Sequence, residues 1–521
     1  MHQPRFLRAL CMLAAITGSA LAQDAPKTLS LSLDEAILRA LKGNLAIQVA
    51  EFSPAASELS IQAAREKYYP TFAFSYSNRH TERVSYSFLD VAGATSITKT
   101  GNFQGNVNQT IPLGGRITVA MSNGLTDTNQ KGNTINPQYN TQLSFSVSQP
   151  LLRDFGMKWT NRTITIARNN YDVSGLNFAK TVQDTVYSVE QTYWSLVYAV
   201  ENLKVQETSL QLARDFLAKN QRSVEIGTLA PIDVLSAEAE VASREASILS
   251  AQSQVRNYED QLRNLMNLSA EEEEGFTAVV PTDKPKFEER PVDFDLALSV
   301  ALEKRTDLRI SKINLKTDEL NLGYAKNQLL PNLSLSAGYQ SPGLSGTQIL
   351  YDGNPLFGTV IGTIPGGFTE AYKDTFRFKY PNWNISLSLD IPLSNFLSKA
   401  AYAQSKIAYD QALLELENQQ KTAVLEIRNA VRQLQTNFKL VQANKVAREL
   451  AEKKLAAEEE KLRVGQSTNY IVLQNQRDLT SSRVAELNAI INYNIAQAGL
   501  ERAMGTLLET RNIKIADLMV K

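Results

Sequence analysis

Rings stand at positions 72, 74 and 76 of the stretch PTFAFSYSN (70–78), with small or polar residues between them. A period of two marks a strand with one apolar face. The same alternation recurs at 142–149, 332–340 and 384–391. With 71–78, these are the four strong strands that the pattern predicts. Their apolar sets are Phe72/Phe74/Tyr76, Leu143/Phe145/Val147, Leu333/Leu335/Ala337/Tyr339 and Ile385/Leu387/Leu389/Ile391. The alternate positions are mostly Ser, with Ala73, Gln142, Asn384 and Asp390. Between the strands the pattern changes to a heptad. Val182, Val186, Val189, Tyr193, Leu196, Val200 and Leu203 alternate spacings of four and three, as do Val424, Ile427, Val431, Leu434, Phe438 and Val441. Such a seam must pack on another helix. A continuous helix from about Asn161 to Ile226 would be roughly 100 Å long at 1.5 Å per residue, which suits a rod or a tube wall better than a globular core.

The chain is written twice. PTFAFSYS (70–77) matches PNLSLSAG (331–338), FSVSQPLL (145–152) matches LSLDIPLS (387–394), and VEIGTLAPIDVL (224–235) matches LRVGQSTNYIVL (462–473). Each half reads helix, Pro, strand, loop, strand, Pro, very long helix, Gly, long helix. Gly227 and Gly465 break the heptads where a left-handed C-cap would turn the chain back, and Pro231 stands where the next helix would begin. The segment between the halves carries four glutamates at 271–274 and Pro281, Pro285 and Pro291, the composition of a linker. The predicted layout is a signal peptide over 1–22, a first repeat over 23–268 with a helical-hairpin tip at 227–231, a linker over 269–292, and a second repeat over 293–521 with a tip at 465–469.

Composition narrows the class. Arg5 and Arg8, the apolar core from Ala9 to Ile16 and the small residues Ala20-Leu21-Ala22 form a secretory signal peptide. The only cysteine, Cys11, lies within it, so the mature chain would have no disulfide and no lipidated cysteine. Lys+Arg and Asp+Glu both number 54, a zero net charge that argues against nucleic acid as a partner. No apolar run beyond residue 22 is long enough for a membrane helix. Strands of about nine residues, apolar on one side and Ser-lined on the other, instead fit an outer-membrane barrel with a polar lumen. Alternation alone fits a soluble sheet lying on a core equally well. The signal peptide and the long Gly-, Ser- and Thr-rich segments between paired strands favour the barrel. Four strands cannot close one, because single-chain bacterial barrels have at least eight and lipid admits no open edge. Several chains must share it. A further candidate hairpin, NVNQTIPLGGRITVAMS (106–122), would raise four strands per chain to six; four is the favoured reading, giving twelve in a trimer.

The duplicated layout, the strand ends SQPLL and DIPLS, and the turns EIGTLAPIDVLSAE and RVGQSTNYIVLQNQ resemble the TolC family of outer-membrane efflux proteins, over essentially the whole mature chain. The resemblance implies a mixed, mainly α fold: a homotrimeric outer-membrane β-barrel continued by a long periplasmic α-helical coiled-coil tunnel, in the envelope of a Gram-negative-type cell. It implies an equatorial region formed by about 23–35, 269–293 and 506–521. It also implies partners: outer-membrane lipid, a periplasmic adaptor (membrane fusion) protein, and an inner-membrane pump or ABC transporter. An adaptor would dock on the tips, Gly227, Thr228, Leu229, Ala230 and Gly465, Gln466, Ser467, Thr468; plain helix-turn-helix chemistry explains the glycines equally. Family members with a carboxylate constriction carry aspartates six and nine residues after the second tip glycine. Here those places hold Ile471 and Gln474, and in the first half Asp233 and Ser236. The implied aperture therefore has one carboxylate per chain, and closure would lean on Ile471 and Leu235.

Catalytic chemistry finds no foothold. His80, in NRHTER, reads as an exposed loop residue; no Cys/His cluster or HExxH is present, so neither a metal nor another cofactor is expected. PLGG (112–115) and IPGG (364–367) are turn sequences. Acidic residues spaced four from Lys or Arg read as solvated helix faces. Tyr68, Tyr69, Tyr380 and Trp383 at strand ends are candidates for an interfacial girdle. The leading function is a passive exit duct of a tripartite efflux or type I secretion system, opened by its partners. The alternatives are a periplasmic coiled-coil structural protein and a stand-alone diffusion porin.

Overall fold

The computed structural model describes residues 28–85, 89–90, 95–268, 278–285 and 287–518. The predicted signal peptide and the glutamates at 271–274 lie outside the described residues. In chain order, β1 (Thr28–Leu31), α1 (Leu33–Gly43) and α2 (Leu45–Arg65) lead to β2 (Thr71–Val84), β3 (Thr95–Thr110), β4 (Arg116–Thr128) and β5 (Ile135–Pro150). A short α3 (Met157–Thr160) precedes the long α4 (Arg162–Glu225) and α5 (Pro231–Met266). Then follow β6 (Ala278–Pro281), α6 (Phe294–Lys304), α7 (Thr306–Asn327), β7 (Asn332–Tyr351), β8 (Val360–Ile364), α8 (Phe368–Phe376) and β9 (Asn382–Asp390). The chain ends in α9 (Phe396–Arg463), α10 (Asn469–Met504) and α11 (Leu507–Thr510). The described residues form two compact units, one within Met1–Leu45, Thr185–Glu289 and Leu434–Ala498, the other within Ala46–Asp184, Arg290–Gln433 and Gly499–Lys521.

The second unit holds a seven-stranded antiparallel sheet in the order β2-β3-β4-β5-β7. β9 pairs with the lower half of β7, Asn332–Gln340, and β8 with its far end, Gln348–Tyr351. The favoured four strands per chain are thereby corrected: segment 106–122 lies in the sheet, and six long strands run side by side. The physical reason is that β3 hides its apolar face. On that face Gly101 and Gly105 flank Phe103 and cut it off from Val107, so the single-strand signal is weak. The ladder nonetheless pairs β3 along its length with β2 on one side and β4 on the other. The turn between β3 and β4 is closed by the Gly114 and Ile111 N–H groups, which donate to the Ile111 and Gly115 carbonyls at 3.0 and 2.9 Å. Gly114 has φ +92°, and a Cβ there would run into the Asp154 carbonyl, so glycine is required twice over. His80 is likewise corrected: it stands exposed within β2, 3.9 Å from Glu82, rather than in a loop.

Register sorts the side chains by face. Phe72, Val107, Val119, Phe145, Tyr339 and Trp383 form one cross-strand row. Ala73, Asn106, Ala120, Ser144, Gln340 and Asn382 form the row on the opposite face. All of β2 and β9 is exposed in the single chain. Elsewhere in this unit, Arg305 joins the elbow between α6 and α7 to its neighbours. It donates to Asp307 (2.6 Å), Glu426 (2.6 Å) and the Ala503 carbonyl (3.1 Å). Burial raises the Asp307 pKa, but the Arg305 guanidinium outweighs it and holds the carboxyl below its ordinary value.

The first unit is helical apart from a two-stranded parallel sheet, β1 against β6, which joins the start of the chain to the inter-repeat segment. Ser32 and Glu35 form a capping box at the start of α1, and Ala36, Ile37, Ala40 and Leu41 bury its inner face. Tyr193, fully buried on α4, donates to the Leu31 carbonyl (3.1 Å) and the Asp283 carboxylate (2.8 Å). The same carboxylate accepts from the Leu33 N–H at 2.7 Å. Burial, with Asp283 beside it, pushes the Tyr193 hydroxyl pKa up and keeps it a donor. Phe287 stacks on Phe438, and the Tyr493 hydroxyl donates to the Glu288 carbonyl at 2.6 Å. The seam residues Val186, Val189, Tyr193 and Leu196 are buried along α4 and Leu434 and Val441 along α9; Val182, Ile427 and Val431, which fall in the second unit, are buried as well. Among the described residues no helix is long and apolar enough to cross a membrane.

Tyr193→Phe should lower stability by about 1 kcal/mol, because the hydrogen bond of a buried hydroxyl is lost while the Leu31 carbonyl keeps the Thr282 N–H and Asp283 keeps the Leu33 N–H. The thermal unfolding midpoint of the purified protein checks this; an unshifted midpoint would show that the Tyr193 hydroxyl adds nothing to those two donors.

Candidate functional site

The two helical hairpins turn by the same geometry. At the end of α4 the Thr228 N–H donates to the Ser223 carbonyl at 2.9 Å and the Gly227 N–H to the Val224 carbonyl at 2.9 Å. At the end of α9 the Gln466 N–H reaches the Lys461 carbonyl at 2.8 Å and the Gly465 N–H the Leu462 carbonyl at 3.1 Å. These are Schellman closures, and Gly227 (φ +78°) and Gly465 (φ +77°) occupy their left-handed position. Nothing lies within 4 Å of where either Cβ would be, so the requirement is conformational rather than spatial.

The hairpins are held together by Phe216, Ala237, Leu455, Val472, Leu473 and Leu479, with Leu217, Ala451 and Leu462 against them. This cluster decides which tip residues stay free. Gly227, Thr228, Ala230, Gly465, Gln466 and Thr468 are exposed, and Leu229 and Ser467 are half-buried. Several polar groups are already used internally. The Thr228 hydroxyl donates to the Ser223 carbonyl (2.9 Å), Ser467 to Glu458 (2.5 Å), and Ser236 back to the Ile232 carbonyl (3.1 Å). Asp233 stands half-buried in the first turn of α5, its N–H on the Ala230 carbonyl. A carboxylate there is favoured by the helix dipole. On α10, Val472 and Leu473 turn inward while Ile471 and Gln474 stay exposed. Ile471 and Leu235 are therefore available to a neighbour rather than used in the chain's own core. Of the aromatic candidates, Tyr69 and Trp383 are exposed, whereas the Tyr68 hydroxyl donates to Asn161 at 2.6 Å.

Sequence reasoning missed one charged centre in this unit. Glu240, with 2% of its side chain exposed, accepts from Arg244 at 2.7 Å and from Arg477 on the other hairpin. Arg244 also reaches Ser209 and Thr480. Burial alone would raise the Glu240 pKa. The Arg477 and Arg244 hydrogen bonds outweigh that and set it below its ordinary value. The signal was present as a Glu–Arg pair four residues apart, which the pattern classes with solvated faces. Only the packing shows that this one is buried and crosses between hairpins. Among the described residues, no group of three or more His, Cys, Asp or Glu side chains could hold a metal ion.

A sheet apolar on one face and Ser/Asn-lined on the other, with paired long helical hairpins in the same chain, defines a channel-forming protein of the outer-membrane barrel-and-tunnel class. The chain belongs to the outer membrane efflux protein family, whose model matches residues 36–268 and 297–506, one match for each repeat. It is 24% identical over 339 residues to the probable efflux pump outer membrane protein TtgC of Pseudomonas putida, a match covering 61% of this chain and 60% of that protein. It is 22% identical over 333 residues to the outer membrane protein TolC of Vibrio cholerae, covering 64% of this chain and 70% of that protein. The match thus spans about 60% of the length of the first of these relatives. In fold it is similar to the Campylobacter jejuni CmeC outer membrane channel, with a TM-score of 0.62 at 15% identity over 99% of both chains.

Glu240→Ala should cost about 3–5 kcal/mol, since it leaves Arg244 buried without its carboxylate. A depressed folded-state pKa places the stabilisation above the unfolded value of about 4.3. It is lost as the pH falls through the folded value. The stability gap between wild type and Glu240→Ala, read by denaturation at a series of pH values, should therefore be full at pH 7 and narrow below about pH 4. A gap independent of pH would place the effect in packing instead.

Proposed function

We propose that this protein is the passive exit duct of a multi-component export system in the outer membrane of a Gram-negative-type envelope. Three copies form one barrel, and the helical hairpins form the periplasmic conduit. The observation that carries this reading is a two-faced sheet with both edges unpaired among the described residues, borne by the same chain as two hairpins with exposed tips. An open edge cannot persist in lipid, where each unpaired backbone group costs several kcal/mol. β2 and β9 run antiparallel and lie at opposite edges of the lower sheet, so β9 of one copy suits β2 of the next. Six long strands from each of three copies give eighteen. The wider lumen is lined by Ser, Asn and Gln, which hold water without selecting strongly. The Gly227 and Gly465 tips receive a periplasmic adaptor, and an inner-membrane pump or ABC transporter supplies the energy and chooses the substrate. A periplasmic rod would have no use for a lipid-facing sheet, and a diffusion porin none for the hairpins.

The mature chain should fractionate with the outer membrane, need detergent for extraction, and show a trimer mass by detergent-corrected light scattering. A monomer mass with the fold intact would end the shared-barrel reading. Ser75→Cys with Ser386→Cys, one on each edge strand, should give trimer-sized ladders with a short bifunctional maleimide. Cross-links confined to single chains would refute the edge pairing.

At the conduit's inner end, Asp233 from each copy makes a ring of like charges that attracts cations. Asp233→Ala should lower cation selectivity in planar bilayers, and Ile471→Asp should strengthen block by divalent cations. Unchanged selectivity and conductance in Asp233→Ala would make Asp233 a helix-start residue turned away from the pore.

A further inference from the structure

α8 lies on the apolar face of the sheet, not in the lumen. Tyr139, Thr141, Ser341 and Gly343, which it touches, all belong to that face. The Thr141 hydroxyl donates to the Ala371 carbonyl at 2.9 Å, and the Ser341 hydroxyl to the Thr375 carbonyl at 2.6 Å. Tyr139 meets Phe368 edge-on at 6.0 Å. Gly343 lies so close beneath the helix that a Cβ would strike the Ala371 carbonyl. Register places Thr141 opposite Gly343, one rung above Leu143 opposite Ser341 and two above Phe145 opposite Tyr339. The face is thus apolar near the long helices and turns polar farther up each strand. α8 seals that polar patch: Thr141 is 2% exposed, and Ser341, Ala371 and Thr375 are completely buried.

The sealing stripe is Ala371 and Thr375. A second stripe at spacing four is aromatic, Phe368, Tyr372 and Phe376, with centroids 4.5 and 5.8 Å apart. Phe368 and Phe376 remain 40% and 53% exposed. Exposed Phe378 and Trp383 follow, with Arg377 and Lys379 beside Phe378; Lys373 lies on the helix itself, and Lys373 and Lys379 pair with Glu370 and Asp374 at 3.9 and 3.2 Å. Height along the strand discriminates between surroundings. Ser341 is nine residues above the lower end of β7 at Asn332, about 30 Å along the strand and about 23 Å along the normal for a tilt of about 40°. The apolar band of such barrels is about 25 Å tall, so α8 falls at its outer rim. Deeper in lipid the charges would be too costly; farther out in water the sealed hydroxyls would need no cover.

We propose that α8 is an interfacial helix lying in the headgroup boundary of the outer leaflet, with Phe368, Tyr372 and Phe376 inserted against the acyl chains and the basic side chains among the headgroups. It extends the lipid-facing surface outward over strand ends that are themselves polar. This rests on the reading of the sheet as a barrel with its apolar face outward.

The test uses the mature full-length chain, which has no cysteine beyond position 11. Phe376→Cys and, separately, Leu387→Cys on β9 are labelled with an environment-sensitive fluorophore in phosphatidylcholine/phosphatidylglycerol vesicles. Quenching is compared between a headgroup spin label, a mid-chain spin label and aqueous iodide. The label at 387 should respond most to the mid-chain probe. The label at 376 should be quenched at least twofold more by the headgroup probe than by either of the others. Quenching of 376 chiefly by iodide, or shielding from all three by a neighbouring subunit, overturns the proposal while 387 still reports lipid. If 387 also fails to report lipid, the barrel orientation falls with it. A second readout is the triple variant Phe368→Ser/Tyr372→Ser/Phe376→Ser. It should keep the wild-type unfolding temperature in detergent but lose most of the rise seen on transfer to vesicles. An undiminished rise would overturn the proposal.

Discussion

Backbone hydrogen bonding in hydrocarbon governs the rest of this molecule. Lipid offers no partner for an N–H or C=O group, so a sheet in the membrane must close on itself. Among the described residues the chain stops short of closure: β2 has no partner on one side, and β9 none on the other. Its amphipathic faces compound the constraint. The row from Phe72 to Trp383 is apolar while the opposite row is Ala, Asn, Ser and Gln, so the sheet has one side for lipid and one for water. Both the need for further copies and the aqueous lumen follow from this single rule. The β3–β4 hairpin matters because it adds to the circumference without adding a copy.

The helical unit meets a different demand. Hairpins built from helices as long as α4 and α9 must stay in register and still turn back sharply. Apolar side chains at heptad spacing supply the register, and two left-handed glycines supply the turns. The apolar cluster from Phe216 to Leu479 joins the hairpins close to their tips. Glu240, clamped by arginines from both hairpins, adds direction to that contact. A buried carboxylate tolerates far fewer arrangements than leucine does.

The lipid-facing side of the sheet shows how a local irregularity can be put to use. β9 covers only the lower half of β7, and the fold fills the remaining space on the apolar face with α8. Thr141, Ser341 and Gly343 look like errors in an apolar strand face until the helix above them is seen.

Several features were legible without any structure, because they rest on periodicity or on one residue's backbone freedom. Phe72/Phe74/Tyr76 and Ile385/Leu387/Leu389 announce strands by a period of two, the valines of α4 announce a seam by alternating spacings of four and three, and Gly227 and Gly465 announce turns. Duplication raised each of these signals above the noise of a single copy. What only the tertiary structure decided depends on partners distant in sequence. β3 is a strand because β2 and β4 flank it, although glycines blank half of its apolar face. Glu240 is a buried centre because Arg477 reaches it from the other hairpin, although with Arg244 it looks like a solvated helix pair. α8 covers Thr141 and Ser341 because β5 and β7 bring them side by side. Local pattern reports what one segment can form by itself; burial, pairing and charge compensation are properties of two or more segments, and a linear chain does not display them until it has folded.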